Sequence, residues 1–200
     1  RKLSNHYLLS GPLDKLEAAK RGTILFYREA ELAPGRYTVA AAVYDAPTGR
    51  AGVGAGAVLV PSADVTKPRL ASVVIIARAE QNIALANESN TPFRFGQLLV
   101  YPNLGQPLRK SVAKEMALLL TVYVPRGEKS APKLTVEIAQ SGRTLAKGAL
   151  DLPAPDDAGR IQTASTIPTD KLLPGEYQLI VTATNAQGTA TRVEHFTIQP

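Results

Sequence analysis

One short phrase occurs twice in this 200-residue chain, and it constrains the fold more than any other feature. Residues 32–49 read LAPGRYTVAAAVYDAPTG, and residues 172–188 read LLPGEYQLIVTATNAQG. In both copies the Tyr stands eight residues before the Asp or Asn of the next turn, and a Pro follows twelve residues after the turn Gly. Such matched spacing indicates that the chain builds the same structural unit twice.

The repeated unit reads as a strand, a tight turn and a second strand. Each Pro presets φ near −65° and the Gly after it accepts a positive φ, as a type II turn requires. In the second copy Tyr177, Leu179 and Val181 then share one face, and this period of two is typical of a half-buried strand. The equivalent turn residues are Pro34, Gly35 and Tyr37 in the first copy and Pro174, Gly175 and Tyr177 in the second.

A Tyr two residues past a Pro-Gly turn resembles the tyrosine corner of immunoglobulin-like and fibronectin-type sandwiches. In that arrangement the ring packs at the edge of the core and the hydroxyl bonds nearby backbone. We therefore predict an all-β chain of two tandem immunoglobulin/fibronectin III-like β-sandwich domains, each ending in its last hairpin. The six turn residues are predicted to be structural.

The two predicted domains, residues 1–66 and 67–200, differ in completeness. The linker composition of residues 61–68, PSADVTKP, sets the boundary between them. The second domain holds about eight strand patterns, enough for a whole sandwich, whereas the first holds about four and one short helix near residues 13–21. The first sandwich is therefore predicted to be incomplete at its N-terminus, which would expose strand edges that tend to pair with another chain.

Composition and charge argue against several classes of function. The net charge of +6 comes from 8 Lys/Arg against 6 Asp/Glu in residues 1–66 and 15 against 11 in residues 67–200, so the excess is spread rather than clustered. Nucleic-acid binding needs a basic stripe with stacking aromatics, and none is visible. No run of 18 apolar residues occurs, so no membrane span is predicted. The absence of Cys excludes disulfides and thiol chemistry.

The sequence contains no recognisable catalytic or metal-binding pattern. His6 and His195 fall in different predicted domains, and His195 alternates with Phe196, which predicts that it faces solvent. The glycines of residues 49–61 run into β-branched residues and a Pro instead of opening a helix, so they do not predict a dinucleotide loop. A loop with Asp151, Asp156 and Asp157 lacks the ligand spacing of a calcium loop and reads as a solvated turn, although calcium binding there stays open. We predict no enzyme activity, no cofactor and no small-molecule substrate.

Two longer strings carry a family resemblance. They are GPLDKLEAAKRGTILFYREAELAPGRYTVAAAVYDAPTGRAG and PNLGQPLRKSVAKEMALLLTVYV. In them the chain resembles the region after the von Willebrand factor A domain in bacterial VWFA-related proteins, best known from Acidobacteria. The resemblance implies a secreted or cell-envelope, multidomain protein. The A domain's DxSxS motif is absent, so no metal-adhesion residue carries over, and such a domain would lie upstream of Arg1, where the chain opens without Met.

These observations together predict a non-enzymatic structural or protein-interaction module. Its partner would be another protein or a second copy of the chain, bound through exposed strand edges. The alternative is a carbohydrate- or ligand-binding sandwich, which usually displays aromatic side chains on one face. The chain has no Trp, and most of its Tyr and Phe fall at core-type strand positions.

Overall fold

The computed structural model describes residues 14, 17, 30–45, 48–62, 64–71, 73–81, 94–112 and 114–200. Nearly all regular structure in them is β-strand, which confirms the predicted all-β class. The strands are β1 (Gly35–Asp45), β2 (Arg50–Val60), β3 (Arg69–Leu70), β4 (Val74–Gln81), β5 (Arg94–Phe95), β6 (Leu98–Pro102), β7 (Leu108–Arg109), β8 (Glu115–Tyr123), β9 (Lys133–Gln140), β10 (Arg143–Leu150), β11 (Arg160–Pro168), β12 (Gly175–Asn185) and β13 (Gly188–Gln199).

Residues 34–200 form one compact unit, and residues 1–33 group as another. His6 and nearly all of the helix predicted near residues 13–21 lie outside the described residues. The predicted division into domains at residues 66 and 67 stays a prediction.

Strands β3 to β13 form two sheets in a sandwich arrangement. The first sheet runs in the order β11-β8-β4-β6-β5, with β3 also paired to β8. The second runs β10-β9-β12-β13-β7, and its last pair, β13 with β7, is parallel. Strands β1 and β2 form a separate two-stranded sheet.

The hydrophobic core lies between these two sheets because one face of each central strand is apolar. Leu118 and Leu120 of β8 and Leu179 of β12 are 0% exposed. Full burial of such a side chain contributes about 1.5–3 kcal/mol relative to leaving it in water. The core cluster contains Leu70, Val73, Ile75, Met116, Leu118, Leu120, Val122, Val124, Leu134, Val136, Ile138, Ile161, Tyr177, Leu179, Val181, Ala183, Phe196 and Ile198.

Local turn chemistry sets the register of the hairpins. Ser141 and Gly142, with φ of 50° and 79°, connect β9 to β10 in a two-residue hairpin, as a Ser-Gly pair between two alternating strand patterns predicts. At the β12–β13 turn the Asn185 side-chain oxygen accepts hydrogen bonds from the backbone N–H groups of Gln187 (3.0 Å) and Gly188 (3.1 Å). Each turn thereby fixes which residues of the following strand face the core.

Tyr177 ties the start of β12 to the segment before it. Its side chain is 2% exposed, its ring stacks on Phe196 with centroids 5.4 Å apart, and its hydroxyl donates to the Leu173 carbonyl oxygen at 2.6 Å. The residue thus combines a core contact with a backbone contact four positions upstream. This holds the Pro174-Gly175 turn against the sandwich.

Tyr177→Phe removes the hydroxyl and keeps the ring. Loss of the hydrogen bond to Leu173 should lower the free energy of unfolding by about 1 kcal/mol, measured by urea titration. Tyr101→Phe is the control, because its hydroxyl bonds Glu80 at 3.2 Å on an exposed surface and should change stability by less than about 0.5 kcal/mol. Equal effects of the two variants would contradict the special role of Tyr177.

Candidate interaction surface

The β1–β2 hairpin is a long, regular ribbon. Eleven residue pairs join its strands without a break, from Gly35 opposite Val60 to Asp45 opposite Arg50. At its tip the Thr48 hydroxyl bonds the Asp45 carboxylate, and the backbone N–H of Gly49 donates to the Asp45 carbonyl at 2.8 Å. Gly49 has φ of +67°, which suits glycine, so the turn is formed by residues that favour it.

Both faces of this ribbon are apolar and exposed. Directly opposed residues of an antiparallel pair point to the same face. On one face Val39 and Val43 are 49% and 71% exposed, and on the other Val53 and Leu59 are 77% and 67% exposed. Within the described residues, nothing covers these side chains.

The edges of the ribbon are also open. In the described part of the chain, no third strand pairs with β1 or β2. An isolated two-stranded hairpin is marginally stable in water, and long apolar strand edges pair readily with other chains. A contiguous exposed apolar surface of this kind is a candidate interaction site. The hairpin is therefore the first candidate for function.

The two predicted corners lie in different surroundings. Pro34 and Pro174 are both exposed, and Gly35 and Gly175 are both half-buried, with nearly equal φ of 158° and 156°. Tyr37 is half-buried, and its ring lies close to Gly35. A Cβ atom added to Gly35 would lie 3.5 Å from the Cε2 atom of Tyr37. Tyr177, by contrast, is buried. The turns match locally, and their packing differs.

A second apolar surface opens at the side of the sandwich, between edge strands β10 and β11. We call it the lateral groove, a recess of about 660 Å³. Core-facing residues Val136, Ile138 and Ile167 line it, with Leu145, Leu172 and Tyr177. The sequence patterns did not predict this groove. The feature that indicates it is the presence of small residues in the second half of β10, which reads RTLAKGAL.

Small inward-facing residues create the groove. Ala146 of β10 lies opposite Ile138, and Gly148 lies opposite Val136, so both point to the core side of the sheet. They stand where the neighbouring strands carry Ile, Val or Leu. The groove therefore lies along the flank of the main core, and the core residues that line it, such as Val136 and Ile138, are themselves buried.

A larger, more open recess of about 1080 Å³ lies beside the first sheet. Its lining includes Ala77, Ala117 and Ala164, with Arg109 and Glu115 at the rim. Beside it the Arg78 guanidinium sits 4.1 Å from the centre of the Tyr101 ring. This recess combines small side chains with scattered polar groups and has no converging set of reactive residues among those described.

The histidine and the aspartates singled out in the sequence do not come together. His195 is exposed while its neighbour Phe196 is buried, as the alternation predicts. The described residues contain no group of three or more His, Asp or Glu side chains that would hold a metal ion. Among those same residues, no helix is long and apolar enough to cross a membrane.

The Asp156 carboxylate makes its polar contacts within its own turn. Its Oδ1 atom accepts hydrogen bonds from the backbone N–H groups of Arg160 (2.8 Å) and Ala158 (3.1 Å), and its Oδ2 atom pairs with the Arg160 Nε at 3.1 Å. The hydrogen bond from the Arg160 backbone, followed by the contact with the Arg160 side chain, lowers the pKa of Asp156 below its usual value of 3.8. This carboxylate stabilises the loop between β10 and β11.

Comparisons with known proteins assign no family to this chain. No family model matches the chain, and no curated protein matches it. Among solved structures that match, a crystal structure titled as an engineered protein is 22% identical, with a TM-score of 0.30. That match covers 48% of this chain and 18% of the engineered one.

Asp156→Asn should destabilise the fold at neutral pH but not in acid. Because the folded-state pKa is lowered, the ionised carboxylate stabilises the fold above 3.8, and this contribution is lost as the pH falls through the folded-state value. Urea titrations at about pH 7, 5 and 3 should show the gap between variant and wild type closing at the lowest pH. The control Asp157→Asn removes a charge from the same loop and should leave the urea midpoint unchanged at each pH. A gap that stays constant down to the lowest pH would contradict this role of Asp156.

Proposed function

We propose that this chain is a non-enzymatic protein-interaction module that associates through its β1–β2 hairpin. The observation that carries the proposal is the ribbon of 22 paired strand residues with apolar side chains exposed on both faces. Burial of such a surface by another protein supplies the driving force for association. The partner we propose is a second copy of the chain, because among the described residues no third strand pairs with either edge of the ribbon and both of its faces carry exposed apolar side chains.

The sandwich of β3 to β13 is proposed to be immunoglobulin/fibronectin III-like. Strand grouping supports this: β4, β8 and β11 are neighbours in one sheet, and β9, β12 and β13 in the other. When only the seven longer strands are lettered A to G in chain order (β4, β8, β9, β10, β11, β12 and β13), these are the A-B-E and C-F-G groups of that architecture. The Tyr177 hydroxyl bond to Leu173 supports it as well, since a tyrosine corner bonds backbone a few residues upstream.

The cellular setting is proposed from sequence resemblance. Likeness to the region after the A domain of VWFA-related proteins supports a secreted or cell-envelope, multidomain bacterial protein. In that setting the tandem domains, residues 1–66 and 67–200, act as a structural stalk with the hairpin as its adhesive element.

The chemistry of the ribbon favours a protein partner over a sugar. Carbohydrate-binding sandwiches usually present several aromatic rings on one face. Here the exposed apolar side chains of the ribbon are valines, alanines and Leu59, and Tyr44 is its one aromatic residue more than half exposed. Aliphatic side chains alternating with small ones suit packing against another strand.

Val43→Lys and Val53→Lys place a charge on opposite faces of the hairpin. The variant on the face that the partner buries should weaken self-association at least about tenfold, which corresponds to about 1.4 kcal/mol, because a valine contact is lost and an ammonium group resists burial; the variant on the other face should weaken it less. The measurement is sedimentation velocity over a concentration series. Circular dichroism of each variant confirms that the sandwich remains folded.

Leu104→Lys is the matched control for these variants. Leu104 is 65% exposed in the loop between β6 and β7, away from the hairpin, and its replacement should leave association unchanged. A wild-type chain that stays monomeric up to about 100 μM, a concentration that a weak specific interface would saturate, contradicts the proposal. Equal weakening by Leu104→Lys would also contradict it.

A further inference from the structure

Strand β10 presents a free edge beside the lateral groove. It is the terminal strand of the second sheet, and its residues 143–149 are exposed. Proteins usually protect such edges with prolines, outward lysines or a covering loop. Strand β10 contains no proline, and its lysine, Lys147, is paired with Glu137 on the outer face of the sheet. Within the described residues no strand pairs with the outer edge of β10, so its backbone is open there to an added strand.

The groove next to this edge lacks side-chain volume. A Cβ on Gly148 would meet no atom within 4 Å, although the residue faces the core side of the sheet. Leu145 lies at the β-bulge between Thr144 and Ala146, and it is 45% exposed, so it does not fill this space. The recess of about 660 Å³ is open at the surface and mostly apolar, so it has room for apolar side chains from another chain.

We infer that the lateral groove is the acceptor for the β1–β2 hairpin of a second copy of this chain. Strand β1 of the second copy pairs along the free edge of β10, and its apolar side chains enter the groove over Ala146 and Gly148. This inference rests on the proposed function and names the surface that the hairpin contacts. The mode is strand addition, in which main-chain hydrogen bonds give affinity and alternate side chains fill pockets.

The hairpin and the groove are complementary in shape and composition. Strand β1 has eleven residues and β10 has eight, so the full free edge is matched. Val39, Ala41 and Val43 alternate along one side of β1, at the period of two that a groove beside a strand edge accepts. The glycine-bearing stretch of β2 has little side-chain volume to contribute, which favours β1 as the inserted strand.

Charge favours the antiparallel orientation. The hairpin carries one acidic side chain, Asp45, at the end of β1. Strand β10 begins with Arg143, whose guanidinium makes no ion pair with a described residue. When β1 runs antiparallel to β10, Asp45 lies next to Arg143. Opposite charges placed across an interface fix its register.

The resulting contact is head-to-tail. The donor surface is the hairpin of one copy and the acceptor surface is the groove of the next, so each molecule keeps one free donor and one free acceptor. Such heterologous contacts build open chains unless the rotation closes a ring. An isologous contact between two hairpins, related by a two-fold axis, would instead close as a dimer.

A mixing experiment tests the inference on the full chain. Val43→Lys blocks the donor and leaves the groove intact, whereas Gly148→Val fills the acceptor and leaves the hairpin intact. Each variant alone should run as a monomer in light scattering coupled to gel filtration. An equimolar mixture should form a heterodimer, with a Kd within about threefold of that for the first association step of the wild type.

Two further variants guard against misfolding and nonspecific effects. Ala146→Leu fills the same recess from a neighbouring position and should also abolish self-association while raising the thermal midpoint. Ala164→Val adds bulk on the exposed face of β11, outside the groove, and should associate like the wild type. Hydrogen exchange in the mixture should show new protection of β10 in the Val43→Lys chain only.

The outcomes separate this inference from the proposed function. If Gly148→Val and Ala146→Leu self-associate like the wild type, the hairpin binds elsewhere; the groove is then excluded and the hairpin's adhesive role stands. If both single variants are monomeric and the mixture stays monomeric, the donor–acceptor pairing is wrong. A monomeric wild-type chain overturns both.

Discussion

Burial of one apolar face of each central strand between the two sheets holds the described sandwich together. Strands β8 and β12 supply side chains such as Leu118 and Leu179 that no water reaches. Because this burial is the largest favourable contribution, the hairpin turns are constrained to registers that keep those faces inward. Tyr177 extends the same core to the edge and fixes where β12 begins, through its bond to Leu173.

The repeated phrase shows how one local pattern serves two environments. In β12–β13 the outward face is polar, with Thr182 beside Thr191 and Thr184 beside Thr189, and the inward face is apolar. In β1–β2 the middle of both faces is built mainly from Val, Ala and Gly, and the charged residues lie at the ends of the strands. A strand pair with one polar face suits the surface of a sandwich, whereas a pair without one gains most free energy when covered on both sides. The first copy is thus suited to contact with another protein.

The hairpin and the lateral groove are opposite departures from good packing. The hairpin exposes apolar side chains that have no core to enter, and the groove is a core flank whose own strand, β10, carries Ala146 and Gly148 in place of large residues. A sequence optimised only for the stability of a monomer would correct both. Their coexistence in one chain supports an assembly in which one compensates for the other, at the cost of stability in the isolated molecule.

The sequence by itself determined the all-β class, the alternation of the main strands and several turns. The Ser141-Gly142 hairpin and the exposed position of His195 followed from period-two patterns and turn preferences, which act between residues close in the chain. Tertiary structure decided the rest: that β7 runs parallel to β13, that a groove opens beside β10, and that the hairpin copy at β1–β2 is uncovered by the described residues. These depend on which distant strands become neighbours and how much volume each brings, and a local pattern specifies neither.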